Sequence, residues 1–223
     1  MKILALVEDW LFPRKCTLCG CLLTPDETDL CSRCRREEAP YPDKTKTIPF
    51  VKSWCALWHY SGNVRQSIRR YKFKGQKAYA DAYGRLLAMK LLESGLEYDI
   101  LTWIPISSAR KARRGFDQTK RLATAVGKEL GTPPLSTLKK IRNNRPQSGI
   151  SGLANRRANV LGVYRTKDPD LIRGKRILLL DDIITTGATS SEAARILLTA
   201  GAKEVHCAAI AAASNHHNEQ VKK

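Results

Sequence analysis

The stretch RILLLDDIITTGATSSEAARIL, residues 176–197, constrains the fold more than any other part of the chain. The unbroken apolar run Ile177–Leu180 reads as a strand buried on both faces, since a strand with one wet face would alternate. It runs into two adjacent carboxylates, Asp181 and Asp182, then a hydroxyl-rich turn around Gly187, then a helix. The same strand-and-helix alternation recurs upstream. SWCALWHY (53–60), DILTWIPIS (99–107) and VHCAAIAAA (205–213) read as strands, with Pro105 taking the second out of the sheet. NVRQSIRRYKF (63–73), AYADAYGRLLAMKLLESG (78–95), DQTKRLATAVGKELG (117–131) and TSSEAARILLTAG (189–201) carry helical spacing or helix-start signals. This order predicts an α/β fold with a largely parallel sheet covered by helices on both faces.

In such sheets ligands bind beyond the carboxyl ends of the strands, where DDIITTGATSSE falls. Adjacent strand residues point to opposite faces, so Asp181 and Asp182 share one ligand only if the chain bends there, and the turn after them is expected to supply the bend. Gly187 permits close backbone approach, and the N–H groups of residues 186–189 are expected to form an anion nest at a helix N-terminus. Two carboxylates beside such a cradle repel an all-anionic ligand. They suit a sugar phosphate, whose hydroxyls donate to the acids while its phosphate fills the nest. A hydrophobic strand ending in two acids also fits a nucleotide hydrolase, but the chain has no G-x-x-x-x-G-K-[ST] loop. Helix capping by Thr and Ser is the other alternative, and it leaves the two acids unexplained.

Four of the seven cysteines form two C-x-x-C pairs, Cys16/Cys19 and Cys31/Cys34, with eleven residues between them. Two such knuckles close a tetrahedral thiolate shell for a structural Zn²⁺, with no position left open for catalysis. Cys21 makes a swap with Cys19 conceivable, whereas Cys55 and Cys207 lie in apolar runs and read as core residues. EEAPYPDKTKTIP (37–49) reads as a linker. The expected organisation is therefore an N-terminal helix (3–12) with a four-cysteine zinc ribbon over residues 1–50 and a second domain over 51–223.

Charge narrows the partners. The formal net charge is +18, and residues 110–176 hold 18 Lys/Arg against 4 acids. Polyanions and phosphorylated ligands are the partners this favours. No apolar run approaches the roughly 20 residues of a membrane span. Glu8 and Asp9 interrupt the N-terminal apolar run too early for a signal peptide. A cytoplasmic protein is expected, with recruitment to the cytoplasmic face of the membrane compatible with its charge.

ILLLDDIITTGAT resembles the 5-phosphoribosyl-1-pyrophosphate (PRPP) motif of type I phosphoribosyltransferases. That resemblance assigns the ribose hydroxyls to Asp181 and Asp182 and the 5′-phosphate to Thr185, Thr186, Gly187, Ala188 and Thr189. Together with the cysteine ribbon, YSGNVRQSIRRYKFKG, WIPISSARKARRGFDQTKRLA and RPQSGISGLANRRANV, the chain resembles the ComF family of competence-associated, phosphoribosyltransferase-like proteins over most of residues 10–213. By position, Ser107, Ser108, Ala109 and Arg110 match the pyrophosphate loop. The stretch 142–157 matches the flexible loop, with Arg145, Gln147, Arg156 and Arg157 as anion contacts. Transfer from PRPP would also require Mg²⁺ bridging diphosphate and ribose. One departure is RGFDQ, where the family usually has Asn at position 117, and Asp117 is expected to pair with Arg114.

The resemblance implies an accessory protein of natural transformation that binds PRPP, handles single-stranded DNA and works with the DNA-uptake machinery. Arg69, Arg70, Tyr71, Lys72, Phe73 and Lys74 interleave cations with aromatics and are the candidate nucleic-acid contacts. Two alternatives stand beside this: an active phosphoribosyltransferase of unknown acceptor, and a PRPP-sensing regulator of nucleic-acid metabolism. No acceptor-base pocket is legible, and the catalytic cysteine of glutamine-dependent relatives has no counterpart in the opening Met1–Lys2, so glutaminase chemistry is not expected.

Overall fold

The computed structural model describes residues 13–42, 46–74, 77–142 and 159–213. The expected N-terminal helix, the flexible-loop residues Arg145, Gln147, Arg156 and Arg157, and the C-terminal tail lie outside the described residues. In chain order the elements are α1 (Ser32–Glu37), β1 (Ser53–His59), α2 (Gly62–Lys74), α3 (Lys77–Glu93), β2 (Ile100–Trp103) and α4 (Ser108–Arg114). They continue with α5 (Gln118–Glu129), β3 (Leu138–Lys140), β4 (Tyr164–Thr166), β5 (Arg176–Ile184), α6 (Ala188–Thr199) and β6 (Glu204–Ala212).

Four strands form a parallel sheet in the order β1-β6-β5-β2, and β3 pairs antiparallel with β4 in a separate ribbon. The apolar run of β5 is buried on both sides, as its composition requires. Leu178 and Leu180 enter a core with Leu101, Trp103, Leu122, Val126, Tyr83 and Leu87. Ile177 and Leu179 enter the opposite core with Ala193, Leu197 and Val205. Helices α3 and α5 pack against each other on the first face, closely enough that a Cβ on Gly84 would lie 2.5 Å from that of Ala125.

The cysteine-rich segment shares the first core: Cys16, Leu18, Leu30, Cys31 and Cys34 are buried with Val64, Ile68 and Tyr71 of α2. Arg85 of α3 reaches across to Asp29 in a two-pronged ion pair, fixing a residue whose φ is 62°. The stretch expected to be a linker is also structured where described. Tyr41 and Ile48 are buried in the second core, and the Tyr41 N–H donates to Leu57 O at 2.9 Å.

Three elements differ from the sequence expectations. The strand expected over 99–107 stops at Trp103, because Pro105 has no N–H for the ladder. Residues 108–110, matched to a loop, instead open the short helix α4 (Ser108–Arg114), with the Ser107 hydroxyl accepting from Arg110 N–H. The β3–β4 ribbon has only three residues in each strand, too few for a periodicity signal.

Candidate functional site

The carboxyl end of β5 carries the candidate site. Register with β6 keeps one offset as far as Ile184↔Ala212, but the ladder lacks an Asp182↔Ile210 pair and the faces change phase there: Ile183 packs with Leu178 and Leu180, whereas Ile184 packs with Ile177 and Leu179, so regular alternation ends at the acids, just before the turn. The alternation places Asp181 on the face of Leu179 and Asp182 on the face of Leu180. What brings both within reach of one ligand is the early end of β2. Its last pair is Trp103↔Leu180, so beyond Leu180 that edge of β5 has no strand beside it among the described residues.

The two acids have different neighbours. Asp182 is buried, and its Oδ2 accepts from Gln118 Nε2 at 2.9 Å and pairs with Lys72 Nζ at 3.0 Å. Burial opposes its ionisation, but the Lys72 charge and the hydrogen bonds from Lys72 and Gln118 overcome that and hold its pKa below the usual carboxylate range. Asp181 has the opposite balance. Burial and the neighbouring Asp182 charge push it up to about 8, against the hydrogen bond it accepts from the Asp182 N–H at 2.8 Å. Asp182 is thus the more readily ionised member of the pair and Asp181 the one that holds its proton longer. Lys140 of β3, lowered to about 8 by burial and by Arg110, faces Asp181 from the other side.

The turn that follows has the shape its residues predict. Gly187 adopts φ 78° and is the N-cap of α6, and as a glycine it brings no side-chain cap of its own. The Thr186 hydroxyl accepts from Ala188 N–H at 3.3 Å, and Thr185, Gly187, Ala188 and Thr189 line a small cleft with Asp181. The N-terminus of a twelve-residue helix opened by a glycine, with a threonine hydroxyl beside its first N–H, suits a phosphate. The turn is braced from the segment read as a linker. Lys46 Nζ donates to Thr185 O, and a Cβ at position 187 would lie 2.9 Å from Ile48 Cγ1.

Of the pyrophosphate-loop residues, Ser107 is buried as a helix cap, while Ser108, Ala109 and Arg110 form the first turn of α4. Asp117, expected to pair with Arg114, is the N-cap of α5, accepting from Lys120 N–H at 3.0 Å. Capping by Asp serves as well as capping by Asn, which accounts for the change at this position.

The candidate nucleic-acid stretch needs correction residue by residue. Tyr71 is fully buried and donates to Gln118 O, so it cannot stack on a base. Arg70 bonds Tyr79 Oη and Leu18 O, tying α2 to the cysteine segment, and Lys72 belongs to the acid pair. Phe73 is 64% exposed, with the Arg114 guanidinium 5.5 Å from its ring centre. Arg65, Arg69 and Phe73, four residues apart, form the outer stripe of α2, and Lys111 and Arg113 of α4 are exposed. The side chain of Lys74 is not among those described.

The thiols form a second centre. Cys16, Cys19, Cys21 and Cys31 place their Sγ atoms within 4.8 Å of one another, a set that could hold a metal such as zinc. Cys34 also belongs to the cluster. Its N–H donates to Cys31 Sγ at 3.4 Å, and burial with the nearby Cys19, Cys16 and Cys31 thiols raises its pKa. Five thiols therefore converge where the spacing predicted four, with exposed Cys21 as the added one. The Cys16–Cys21 knuckle is closed by Cys16 N–H to Cys21 O at 2.8 Å, which is why Cys21 stays close. Its thiol is pushed up to about 12, chiefly by Cys19. Thiols crowded without a cation resist ionising, and a bound Zn²⁺ would reverse that.

Sequence reasoning missed Lys46, Ile48 and Lys140 as parts of the site and misplaced Lys72. The quoted RGFDQ contained Gln118, but not the partner it meets.

Comparison with known proteins gives a consistent picture. The model of the phosphoribosyl transferase domain family matches residues 112–223. Competence protein ComFC of Streptococcus pneumoniae is 33% identical over 205 residues, covering 76% of this chain and 86% of its own. Competence protein F of Haemophilus influenzae is 24% identical over 200 residues, 77% of this chain and 85% of its own. DNA utilization protein YhgH of Salmonella typhimurium is 28% identical over 159 residues, 69% of this chain and 64% of its own. Among solved structures, a glutamine PRPP amidotransferase from B. subtilis complexed with ADP and GMP is similar at 24% identity and a TM-score of 0.44. The match covers 63% of this chain and 30% of that one.

Proposed function

The chain belongs to the ComF family of competence-related proteins with a phosphoribosyl transferase domain, and from that premise we propose that it binds PRPP with Mg²⁺ and handles single-stranded DNA as an accessory protein of natural transformation. The observation that carries the reading is the open edge of β5, where an acid pair precedes a glycine-opened helix N-terminus. Asp182 accepts from a ribose hydroxyl. Asp181 donates or accepts according to its proton, and the first N–H groups of α6 take the 5′-phosphate.

Carboxylate oxygens beside a sugar diphosphate suit a hard cation, so Asp181 and Asp182 fit Mg²⁺ directly or through water. When bound, Mg²⁺ supplies charge neutralisation on the diphosphate. Arg110, Lys140 and Arg114 supply further positive charge around the acids. The DNA face is the outer stripe of α2, Arg65, Arg69 and Phe73, extended by Arg114, Lys111 and Arg113 of α4. One exposed aromatic among cations suits a single strand held by charge and stacking. The DNA-uptake machinery supplies the partner proteins, and no helix among the described residues is long and apolar enough to cross a membrane.

The thiol cluster holds a structural Zn²⁺ that welds the N-terminal segment to α2 and α3. Elemental analysis should give one zinc per chain, lost in Cys16→Ser plus Cys31→Ser; a zinc-free native protein would overturn this.

The experiment for the main reading is a titration of single-stranded DNA with and without PRPP and Mg²⁺. Binding should be length-dependent with little sequence preference. It should weaken by roughly 0.7 log units per log of salt for each phosphate neutralised. A salt-insensitive isotherm, or preference for one duplex sequence, would remove the DNA half of the proposal. Pyrophosphate release from PRPP with an added base or amine would instead favour a transferase.

A further inference from the structure

The oxygens of Asp182 are used asymmetrically. Both Lys72 Nζ, at 3.0 Å, and Gln118 Nε2, at 2.9 Å, approach Oδ2. Neither of these two donors is on Oδ1. The Lys72 ammonium is not a solvated surface charge that happens to lie near an acid: its side chain is 17% exposed and that of Asp182 11%. It arrives there because Tyr71, the preceding residue, is fully buried and donates to the backbone carbonyl of Gln118. The last turn of α2 is thereby locked to the first turn of α5, and Lys72 and Gln118 are presented together.

The polar cluster is also incomplete. Gln118 Oε1 and Arg114 Nε are buried without a hydrogen-bond partner among the described residues. Gln118 is 2% exposed, and its amide cannot be turned around to relieve this, because Nε2 is needed for the Asp182 carboxylate. Buried polar atoms left open in this way mark a place that a ligand or water completes.

We propose that Lys72 is a positioning residue of the ribose subsite: with Gln118 it clamps Oδ2 of Asp182 and leaves Oδ1 directed to the sugar. The proposal rests on the PRPP reading of the site and deepens it. Lys72 acts through Asp182 and need not touch the ligand. Its second effect is to break the symmetry of the acid pair, since only one of the two carboxylates has an ammonium on it. The groups around Asp182 that carry charge or titrate are Lys72 and Tyr71 of α2, Arg114 of α4, Asp117 before α5, Asp181 of its own strand and Tyr164 of β4. Lys72 and Arg114 are the cations among them, and only Lys72 makes an ion pair with the carboxylate.

The test compares wild type with Lys72→Met, Lys72→Arg and Gln118→Leu, using calorimetry with Mg²⁺ and PRPP from pH 5.5 to 8.5. Lys72→Met removes the cation that favours the charged form, so the first ionisation of the pair moves up in pH. Binding should weaken about tenfold or more near pH 6, a change of one pKa unit or more in linkage terms, and recover toward wild type near pH 8. Lys72→Arg should restore the acid limb of the profile, and Gln118→Leu should lower affinity and move that limb up in pH by less than Lys72→Met does, because it removes one hydrogen bond to Oδ2 and leaves the cation in place. A carboxyl NMR titration of the wild type without ligand, assigned with Asp182→Asn, should show Asp182 ionising well below Asp181. That arm needs no variant at position 72 to fold.

Several outcomes would overturn the proposal. Tighter binding by Lys72→Met would mean that Lys72 blocks the subsite. An equal loss at every pH would mean that it only supports the fold, and an unchanged profile would place it outside the site. If wild type binds no PRPP at any pH, the underlying reading fails, whereas the NMR titration still judges the clamp on Asp182.

Discussion

The two ends of the parallel sheet are built from the same residue types and behave in opposite ways. At the amino end, charges are mutually matched. Arg176 meets Asp99 at 2.8 Å and also Glu97, while Lys52 meets Glu204, which accepts from His206 at 3.1 Å. Ser53 then completes the chain to His206 at 2.7 Å. At the carboxyl end, two acids adjoin on one strand, a single lysine pairs with one of them, and Gln118 Oε1 and Arg114 Nε stay open. A matched margin stabilises the fold it closes. An unmatched one is tolerated only where something else completes it, and the unmatched margin is the one that faces the N–H cradle of α6.

The largest effect expected from breaking this contrast comes from Asp181→Asn with Asp182→Asn. If the carboxyl end binds the ribose, losing two charge-assisted hydrogen bonds at roughly 1.5–3 kcal/mol each weakens PRPP binding by two orders of magnitude or more. Single-stranded DNA should bind as well or slightly better, since two negative charges leave a basic surface. Calorimetry with PRPP beside anisotropy with DNA, on one folded preparation, reads both. Unchanged PRPP affinity would make the turn a helix cap and nothing more. Loss of both affinities would place DNA phosphates and PRPP in one site.

Next in size is the turn itself. Gly187→Ala forces a left-handed conformation on a residue with a Cβ, costing about 1–2 kcal/mol, and drives that Cβ into Ile48. PRPP affinity should fall at least about tenfold if the brace from Ile48 sets the cradle, since a 1.4 kcal/mol loss is one decade. A variant that loses stability but keeps PRPP affinity would show that the phosphate sits elsewhere.

Much of this site was legible in the residues, and the remainder was hidden for a physical reason. Periodicity is local, so it exposed β5, the turn and α6, which are contiguous. Lys46 reaches Thr185 across 139 positions, and Gln118 reaches Asp182 across 64. No local pattern carries such pairs. Lys72 misled because a lysine between two aromatics reads as a surface cation, whereas the burial of Tyr71 turns that end of α2 inward. The open edge of β5 was half visible: Pro105 announced the end of β2, but its register against Leu180 had to be seen.

The third prediction sets the two ends against each other in pH. Asp181, raised to about 8, keeps in the folded state a proton that the unfolded chain releases near pH 4. The folded state then binds more protons between those values, so its contribution makes stability fall as pH rises from about 4 to 8. Asp99 and Glu204 have the opposite sign. Hydrogen bonds from Arg176 to Asp99, and from Lys52 and His206 to Glu204, lower their pKa values, so their stabilisation is present above about pH 4.5 and lost on acidification. Asp181→Asn should therefore be more stable than wild type at pH 8 by about 1 kcal/mol or more, with the difference shrinking toward pH 4. Urea unfolding at both pH values measures it, and a gap that widens in acid would reverse the assignment.

The smallest expected effect is at the matched end, and its smallness is what the contrast requires. Glu204→Gln keeps the shape and the hydrogen-bonding reach of the side chain but removes its charge from between Lys52 and His206. Lys52 is mostly exposed, so solvent already screens most of that attraction, and the measured value of such pairs is small. The thermal midpoint at pH 7 should move by about 2 °C or less. PRPP and DNA affinities should stay at wild type, because Glu204 opens β6 at the end of the sheet opposite the acid pair. The acid limb of the stability profile should flatten slightly, since one carboxylate whose stabilisation is lost on acidification is gone. A change in PRPP affinity in this variant would mean that the two margins are coupled through β5 and β6. The division into a closing end and a binding end would then fail.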